Sequence, residues 1–422
     1  TLDVTGDVVL GANVTVTTTK SSGNGILLRD AVNADNATNN DRTLTLNSGA
    51  ASAINVGGNV GATQALAGLT ITQSNGATFS GTVDVSDTNS GTITLTDTTN
   101  NQNIAFNGNV TADSFTTAAQ GYDIFLLGDA TFANAVTFQN TGTLDLGNAT
   151  SDTLTFNGGL TESTSGTVTI VGAIVSSNDA ISFGYINLGQ NLSVTSAGGA
   201  ISIGTITAAS GSQDITITSS GGSANTVAVG AIGGSGNINT VAITSGTLTT
   251  LNGNITTDNS SGNSVTLAGT TTNGANITID TNNTNNDGAI NIAAFSSSNN
   301  NLALDSGAAE ITLSGAAFNL GSGSLTTTGD INLAANVSIT ATGGMTINDK
   351  IDADSASSND RTLTLNSGTG ATMTFNDAIG STEALAGLTI TQSDGVTFAS
   401  TLDITDGSAG TLTVTDTENG SD

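Results

Sequence analysis

Two acidic loops hold the residues best suited to chemistry. Asp35 to Asp41 reads DNATNND and Asp354 to Asp360 reads DSASSND; an arginine, Arg42 or Arg361, follows each and opens a run of alternating apolar residues. Carboxylates grouped with Asn and backbone carbonyls are the hard oxygen donors that Ca²⁺ selects. Asp35, Asp41, Asp354 and Asp360 are therefore candidate calcium ligands, and calcium is the one cofactor the sequence suggests. The competing reading is a solvated turn with one Asp–Arg contact, which adds little at a surface. Two other stretches fall short of calcium motifs. GGSGNIN from Gly233 has Ile238 where the nonapeptide motif needs Asp, and NTNNDG ending at Gly288 has Ala294 where a later Glu is required.

Catalysis has little material. The chain contains no His and no Cys, so it offers no imidazole base, no thiol nucleophile and no zinc site of the usual kind. Paired carboxylates alone can hydrolyse a glycosidic bond, but Glu162, Glu310, Glu383 and Glu418 stand far apart in sequence. Lys20, Arg29, Arg42, Lys350 and Arg361 are the only basic residues available to assist. An enzyme is not expected, and a carbohydrate-active β-helix enzyme is the least favoured reading. Only Tyr122 and Tyr185 could offer a phenol, too few for a stacking platform, and most of the twelve Phe read as core, Phe79 and its counterpart Phe398 among them.

Charge narrows the partners. Thirty-four acidic residues against five basic ones give a formal charge of −29 over 422 residues. Such a surface repels phosphate backbones, so nucleic acid is not an expected partner, whereas divalent cations are natural companions. No apolar run approaches the ~18 residues of a transmembrane helix. The lack of cysteine fits export without disulfides, and the first residue, Thr1, suggests a processed protein or a fragment.

The elements that would position these loops are short strands. LTL at Leu44 to Leu46, LTI at Leu69 to Ile71 and ITL at Ile93 to Leu95 alternate aliphatic residues with Thr, and Gly, Asn and Asp bound each burst. The bursts recur. Core positions Leu146, Ile170, Val194, Ile217, Ile243, Leu267, Ile292, Leu313, Ile339, Leu365, Ile390 and Val414 lie 21 to 26 residues apart, the signature of stacked coils. The sequence predicts an all-β chain, a right-handed parallel β-helix (β-solenoid) with coils of about 24 residues. Roughly 17 such coils at a strand spacing of ~4.8 Å would make a rod of about 80 Å. A string of calcium-stapled β-sandwiches is the runner-up, but it should show boundaries near every hundred residues or so.

A longer repeat overlies the coils. DRTLTLNSG at Asp41 recurs at Asp360, and an offset of 319 holds without a gap to Asp422, with roughly half the positions identical. GDVVLGANVTV from Gly6 matches GDINLAANVSI from Gly329 at an offset of 323, which places a four-residue insertion near Lys20 to Gly23, in a loop. The chain is expected to be one continuous solenoid over residues 1–422, with 1–103 and 324–422 as copies of a super-repeat of roughly 320 residues. Because neither end carries an atypical coil, it is also expected to be a window on a longer array.

Two surface patterns accompany the strands. Asn followed by an aliphatic residue and Thr or Ser recurs at Asn13, Asn109, Asn191, Asn254, Asn276 and Asn336. These triplets are glycosylation acceptors in form, but they also track strand starts, where Asn suits a bend and can stack along the axis. If the aliphatics point inward, Thr43, Thr45, Thr70, Thr72, Thr92, Thr94, Thr96, Thr389, Thr391, Thr411 and Thr413 line outer faces. Such an array could bind ice or glycan, or reflect only β propensity and Thr–Thr contacts.

The runs LTITQSNGATFSGTVDVS, GDINLAANVSITATGGMTI and ITIDTNNTNNDGAINI resemble the β-strand-repeat regions of large bacterial surface proteins, similar to filamentous-haemagglutinin-like adhesins and autotransporter passengers. The resemblance covers the whole chain through its low-complexity pattern, without a recognisable secretion domain or adhesive head. It implies an exported stalk or fibre at the cell surface or outside the cell. The expectation is an extracellular structural or adhesive repeat protein whose partners are copies of itself, in a filament or lateral assembly bridged by Ca²⁺, and possible surface glycans. An ice- or glycan-binding solenoid is the alternative.

Overall fold

Alternation decides which side chains go inside. In the strand Thr43–Asn47, Leu44 and Leu46 are buried while the intervening Thr45 is half-buried on the outer side. The computed structural model describes residues 1–422 except 36–41, 88–89, 164–165, 209–211, 222–224, 235–237, 258–262, 283–285, 298, 355–360, 407–409 and 417–422. Among the described residues the regular structure is all strand, and the strand pairs with a stated register are parallel. The chain forms a β-solenoid divided into two units, Thr1–Gly204 and Thr205–Asp422.

In the first unit, three parallel ladders enclose the core. Leu2, Ile26, Ile54, Ala77, Ile104, Ile124, Leu144 and Val168 are successive in-register rungs of one ladder. Val8, Val32, Val60, Val83, Val110, Ala130, Leu154, Ile174 and Val194 form a second. The third runs through Val14, Leu44, Leu69, Ile93 and Phe115. Each rung lies one coil beyond the last, and like stacks on like. Phe79 on Phe106 is the closest aromatic case, with ring centroids 4.9 Å apart and planes 8° from parallel.

The second unit follows the same rule. Ile215, Val241, Val265, Ile290, Ile311, Ile331, Ile351, Ile379 and Leu402 make one inward column. Phe295, Phe318, Ile339, Leu365, Ile390 and Val414 belong to another. Ile255, Ile279, Leu304, Thr327, Ile347, Phe375 and Phe398 lie on the third. Phe398 stacks on Phe375 at 5.2 Å but is 36 % exposed, unlike its fully buried counterpart Phe79. The expectation that both are core therefore holds for Phe79 alone. Phe125 also departs from the core reading, because it sits on the outer, alternate position of its strand between Ile124 and Leu126.

Coil length varies where loops are inserted. Val14 pairs with Leu44, thirty residues on, whereas Ile331 pairs with Ile351, only twenty on. The inserted residues near Lys20 fall between the strands Val14–Thr17 and Asn24–Leu28, and the ladder answers with a register shift between Asn24 and Ile26. Insertions thus lengthen turns and leave the ladder in phase on both sides. The turn at Gly6 recurs at Gly329, with φ of 103° and 116°. Each of these glycine amides donates to a carboxylate, Asp30 at 2.6 Å and Asp349 at 2.7 Å. A left-handed φ with that hydrogen bond is a glycine position.

Candidate calcium loops, corner acceptors and the threonine ladder

The two acidic loops are closed at their bases by identical clips. Arg42 Nε and Nη2 donate to Asp35 Oδ1 and Oδ2 at 3.1 and 2.9 Å. Arg361 makes the same pair with Asp354 at 3.1 and 2.9 Å. Backbone bonds fix both sides of each clip to neighbouring coils: Asp35 N to Leu10 O and Ala67 N to Arg42 O in one copy, Asp354 N to Leu333 O and Ala386 N to Arg361 O in the other. The planar fork matches the carboxylate, so both carboxylate oxygens face a guanidinium. Asp354 in turn pushes the Arg361 guanidinium further above its ordinary pKa, chiefly through the side-chain hydrogen bond.

Of the four candidate ligands, Asp35 and Asp354 are therefore placed at the loop bases with their oxygens turned to arginine. Asp41 and Asp360 lie outside the described residues. Among the described residues no group of three Asp or Glu side chains converges as a metal site. Asp287, in the partial calcium motif, accepts the amide of Ala308 at 2.7 Å and so serves a turn.

Four carboxylates that sequence reading did not bring together share one shallow groove of about 320 Å³: Glu310, Asp330, Asp352 and Glu383. Glu310, Asp330 and Asp352 are spaced 20 and 22 residues apart, near one coil length, but Glu383 follows Asp352 by 31, so the group becomes visible only once the register is known. Glu310 accepts the Thr312 hydroxyl at 2.8 Å and Asn332 Nδ2 at 3.1 Å. Asp352 accepts the amides of Thr382 at 2.9 Å and Glu383 at 3.4 Å. These acids cap backbone and amide donors. Glu162 is different, since it takes an inward position opposite Phe138 and accepts the Gly184 amide at 3.0 Å.

Five of the six recurring Asn triplets have a common geometry; the sixth, at Asn191, lies inside the strand Ile181–Ser196 and does not mark a strand start. Oδ1 of Asn13 accepts the amide of Thr43, that of Asn254 the amide of Thr278, that of Asn276 the amide of Asn301, and that of Asn336 the amide of Thr362, each at 3.0 Å. Asn109 accepts Asp129 N at 3.2 Å, and Asp129 accepts Thr153 N at 2.9 Å. Each acceptor stands just before a strand and binds an amide at the matching corner of the next coil. Asp serves as well as Asn, because only an acceptor is needed.

On the outer side of the first unit, threonines align. Thr15, Thr45, Thr70, Thr94, Thr116, Thr137 and Thr161 are successive in-register rungs. The parallel column beside it is mixed: Thr43, Gly68, Thr92 and Ser114. In the second unit Ser338, Thr364, Thr389 and Thr413 repeat the motif over fewer rungs. Of the two tyrosines, Tyr122 is wholly buried; its hydroxyl donates to Leu95 O at 3.1 Å and accepts from Ala118 N at 2.9 Å. Tyr185 is 41 % exposed.

No protein-family model matches the chain, and no curated protein or solved structure matches it either. No helix among the described residues is long and apolar enough to cross a membrane.

Proposed function

We propose that this chain is an extracellular structural or adhesive repeat protein, its solenoid acting as a spacer in a cell-surface fibre, layer or matrix filament of bacterial type. The observation that carries the reading is the corner acceptor repeated coil after coil, as at Asn13, Asn109, Asn254, Asn276 and Asn336. These acceptors are spread over both units, and each holds one coil to the next. The sequence resemblance to surface β-strand-repeat proteins points the same way. Electron microscopy of the native material is expected to show filaments or sheets built of coils at ~4.8 Å spacing. Hydrolase or lyase activity on an acidic glycan, abolished by replacing one Asp, would overturn the reading.

Assembly must contend with a charge of −29 per chain, which holds copies apart unless it is screened or bridged. Calcium bridging at the acidic loops of Asp35, Asp41, Asp354 and Asp360 would serve, with Arg42 and Arg361 yielding the two basal carboxylates. Light scattering is expected to rise on adding Ca²⁺ and to fall again in EDTA. Scattering indifferent to both would count against bridging.

The seven-rung threonine column supports a second reading, a face that binds ice or glycan. Its neighbour column contains Gly68 and Ser114, so the regular array is one residue wide. Thermal hysteresis or retention on a glycan array would favour this reading over the spacer.

A further inference from the structure

Inward positions of the second unit are mostly aliphatic or aromatic, and some of the buried hydroxyls that interrupt them, such as those of Ser245 and Ser306, donate to a carbonyl. Along the column Val227, Thr249, Thr271, Phe295, Phe318, two successive rungs are threonine. Both are 0 % exposed, and neither hydroxyl has a protein partner. Asn273 follows two residues after Thr271 on the same inner face, is 4 % exposed, and its Oδ1 also lacks a partner. Its orientation is fixed, because Nδ2 donates to Asn301 O at 2.9 Å and a flipped amide would set oxygen against oxygen.

Three inward oxygens without a protein partner therefore sit together, on adjacent rungs and adjacent alternate positions of one ladder. A buried polar group left unmatched is costly, and native proteins meet that need with protein or with ordered water. Thr249 and Thr271 place small side chains at a level that the next rungs fill with Phe295 and Phe318. A buried water requires two to four polar partners and room for about one probe sphere. We propose that Thr249, Thr271 and Asn273 form an internal water-binding site, with ordered water bridging the two hydroxyls and the carboxamide oxygen inside the solenoid.

Thr327 supplies the control. Its hydroxyl is also buried and without a partner, but its rung neighbours are Leu304 and Ile347, so neither adjacent rung offers it a second hydroxyl with which to share a water. Thr→Val keeps the shape and removes the hydroxyl. Thr327→Val is expected to raise the unfolding temperature, whereas Thr249→Val and Thr271→Val each lower it by about 2–4 °C. The double variant should lose less than the sum, since both hydroxyls hold the same water. In the intact protein, water-to-methyl nuclear Overhauser effects at Thr249 and Thr271, lost in the Val variants, are the direct readout. If those effects are absent, or Thr271→Val stabilises as Thr327→Val does, the site is dry and the proposal is overturned.

Discussion

Oδ1 of Asn336 accepts the backbone amide of Thr362 at 3.0 Å, and Oδ1 of Asn13 accepts that of Thr43 at the same distance. The two asparagines are 323 residues apart and the two threonines 319, so the bond has survived a four-residue difference in the turns between them. That places the selective weight on the acceptor at the corner. Asn336→Ala is expected to lower the unfolding temperature by about 2–4 °C, the effect of losing one net hydrogen bond in a unit of this size. Asn336→Asp keeps the acceptor and should recover most of the loss. Calorimetry that finds the Ala and Asp variants equally destabilised would remove the bond from the account.

Gly329 is a stricter requirement. Its φ is 116°, and a Cβ there would lie 1.9 Å from Ser306 Oγ and 2.9 Å from Ala309 O. Gly329→Ala should therefore cost roughly 1–3 kcal/mol from backbone strain, with more from displacing Ser306. Gly370 has a conventional φ and open space around it, so Gly370→Ala should be neutral or slightly stabilising. Comparing the two by denaturant unfolding tests the assignment; equal effects would contradict it.

Much of the fold was legible because alternation and coil interval are local facts. Leu44, Leu69 and Ile93 read as inward in the sequence and are inward rungs of one ladder. Phase was harder to read where Thr and Leu share a strand. In the strand Leu248–Leu251, Leu248 is half-buried on the outer side and Thr249 is inside, a reversal of what hydropathy alone suggests. Neighbouring rungs set that phase, and sequence periodicity cannot see them. The same limit hid the inward Glu162 and the grouping of Glu310, Asp330, Asp352 and Glu383, whose members meet only through coil stacking. The Asp–Arg contact at each acidic loop was legible, because both partners lie seven residues apart at the ends of one loop.

Tyr122 should give the first unit an alkaline limit. Burial, outweighing its hydrogen bond from Ala118, pushes its phenol from 10.0 up to about 12. The folded pKa lies above the unfolded one, so the contribution is fully present below about pH 10 and is lost as pH rises through about 12. Unfolding temperature is expected to fall across that window in the parent protein and to fall less steeply in Tyr122→Phe, which starts lower because two hydrogen bonds are lost. In a Tyr185→Phe background, tyrosinate absorbance should rise near pH 12; a midpoint near 10 would show that Tyr122 is not held by the fold.

Asp145 works in the opposite sense to Asp3 and Asp403, whose carboxyls are held below the usual value by side-chain hydrogen bonds with Arg29 and Thr405. It sits on the outer alternate position between Phe125 and Thr169, and burial raises its pKa, with the Asp123 carboxylate adding to the rise and the Thr169 hydrogen bond opposing it. A carboxyl with a raised folded pKa favours folding only while it is protonated. Its contribution is complete below the unfolded value and is lost as pH climbs through the folded one. At neutral pH the charge is therefore a burden on the native state. Asp145→Asn removes the charge and keeps a partner for Thr169, so it should raise the unfolding temperature at pH 7 and change little at about pH 3, where both states bind the proton. Equal stabilisation at both pH values would assign the gain to packing instead of charge, and destabilisation at pH 7 would mean that the Thr169 bond outweighs burial.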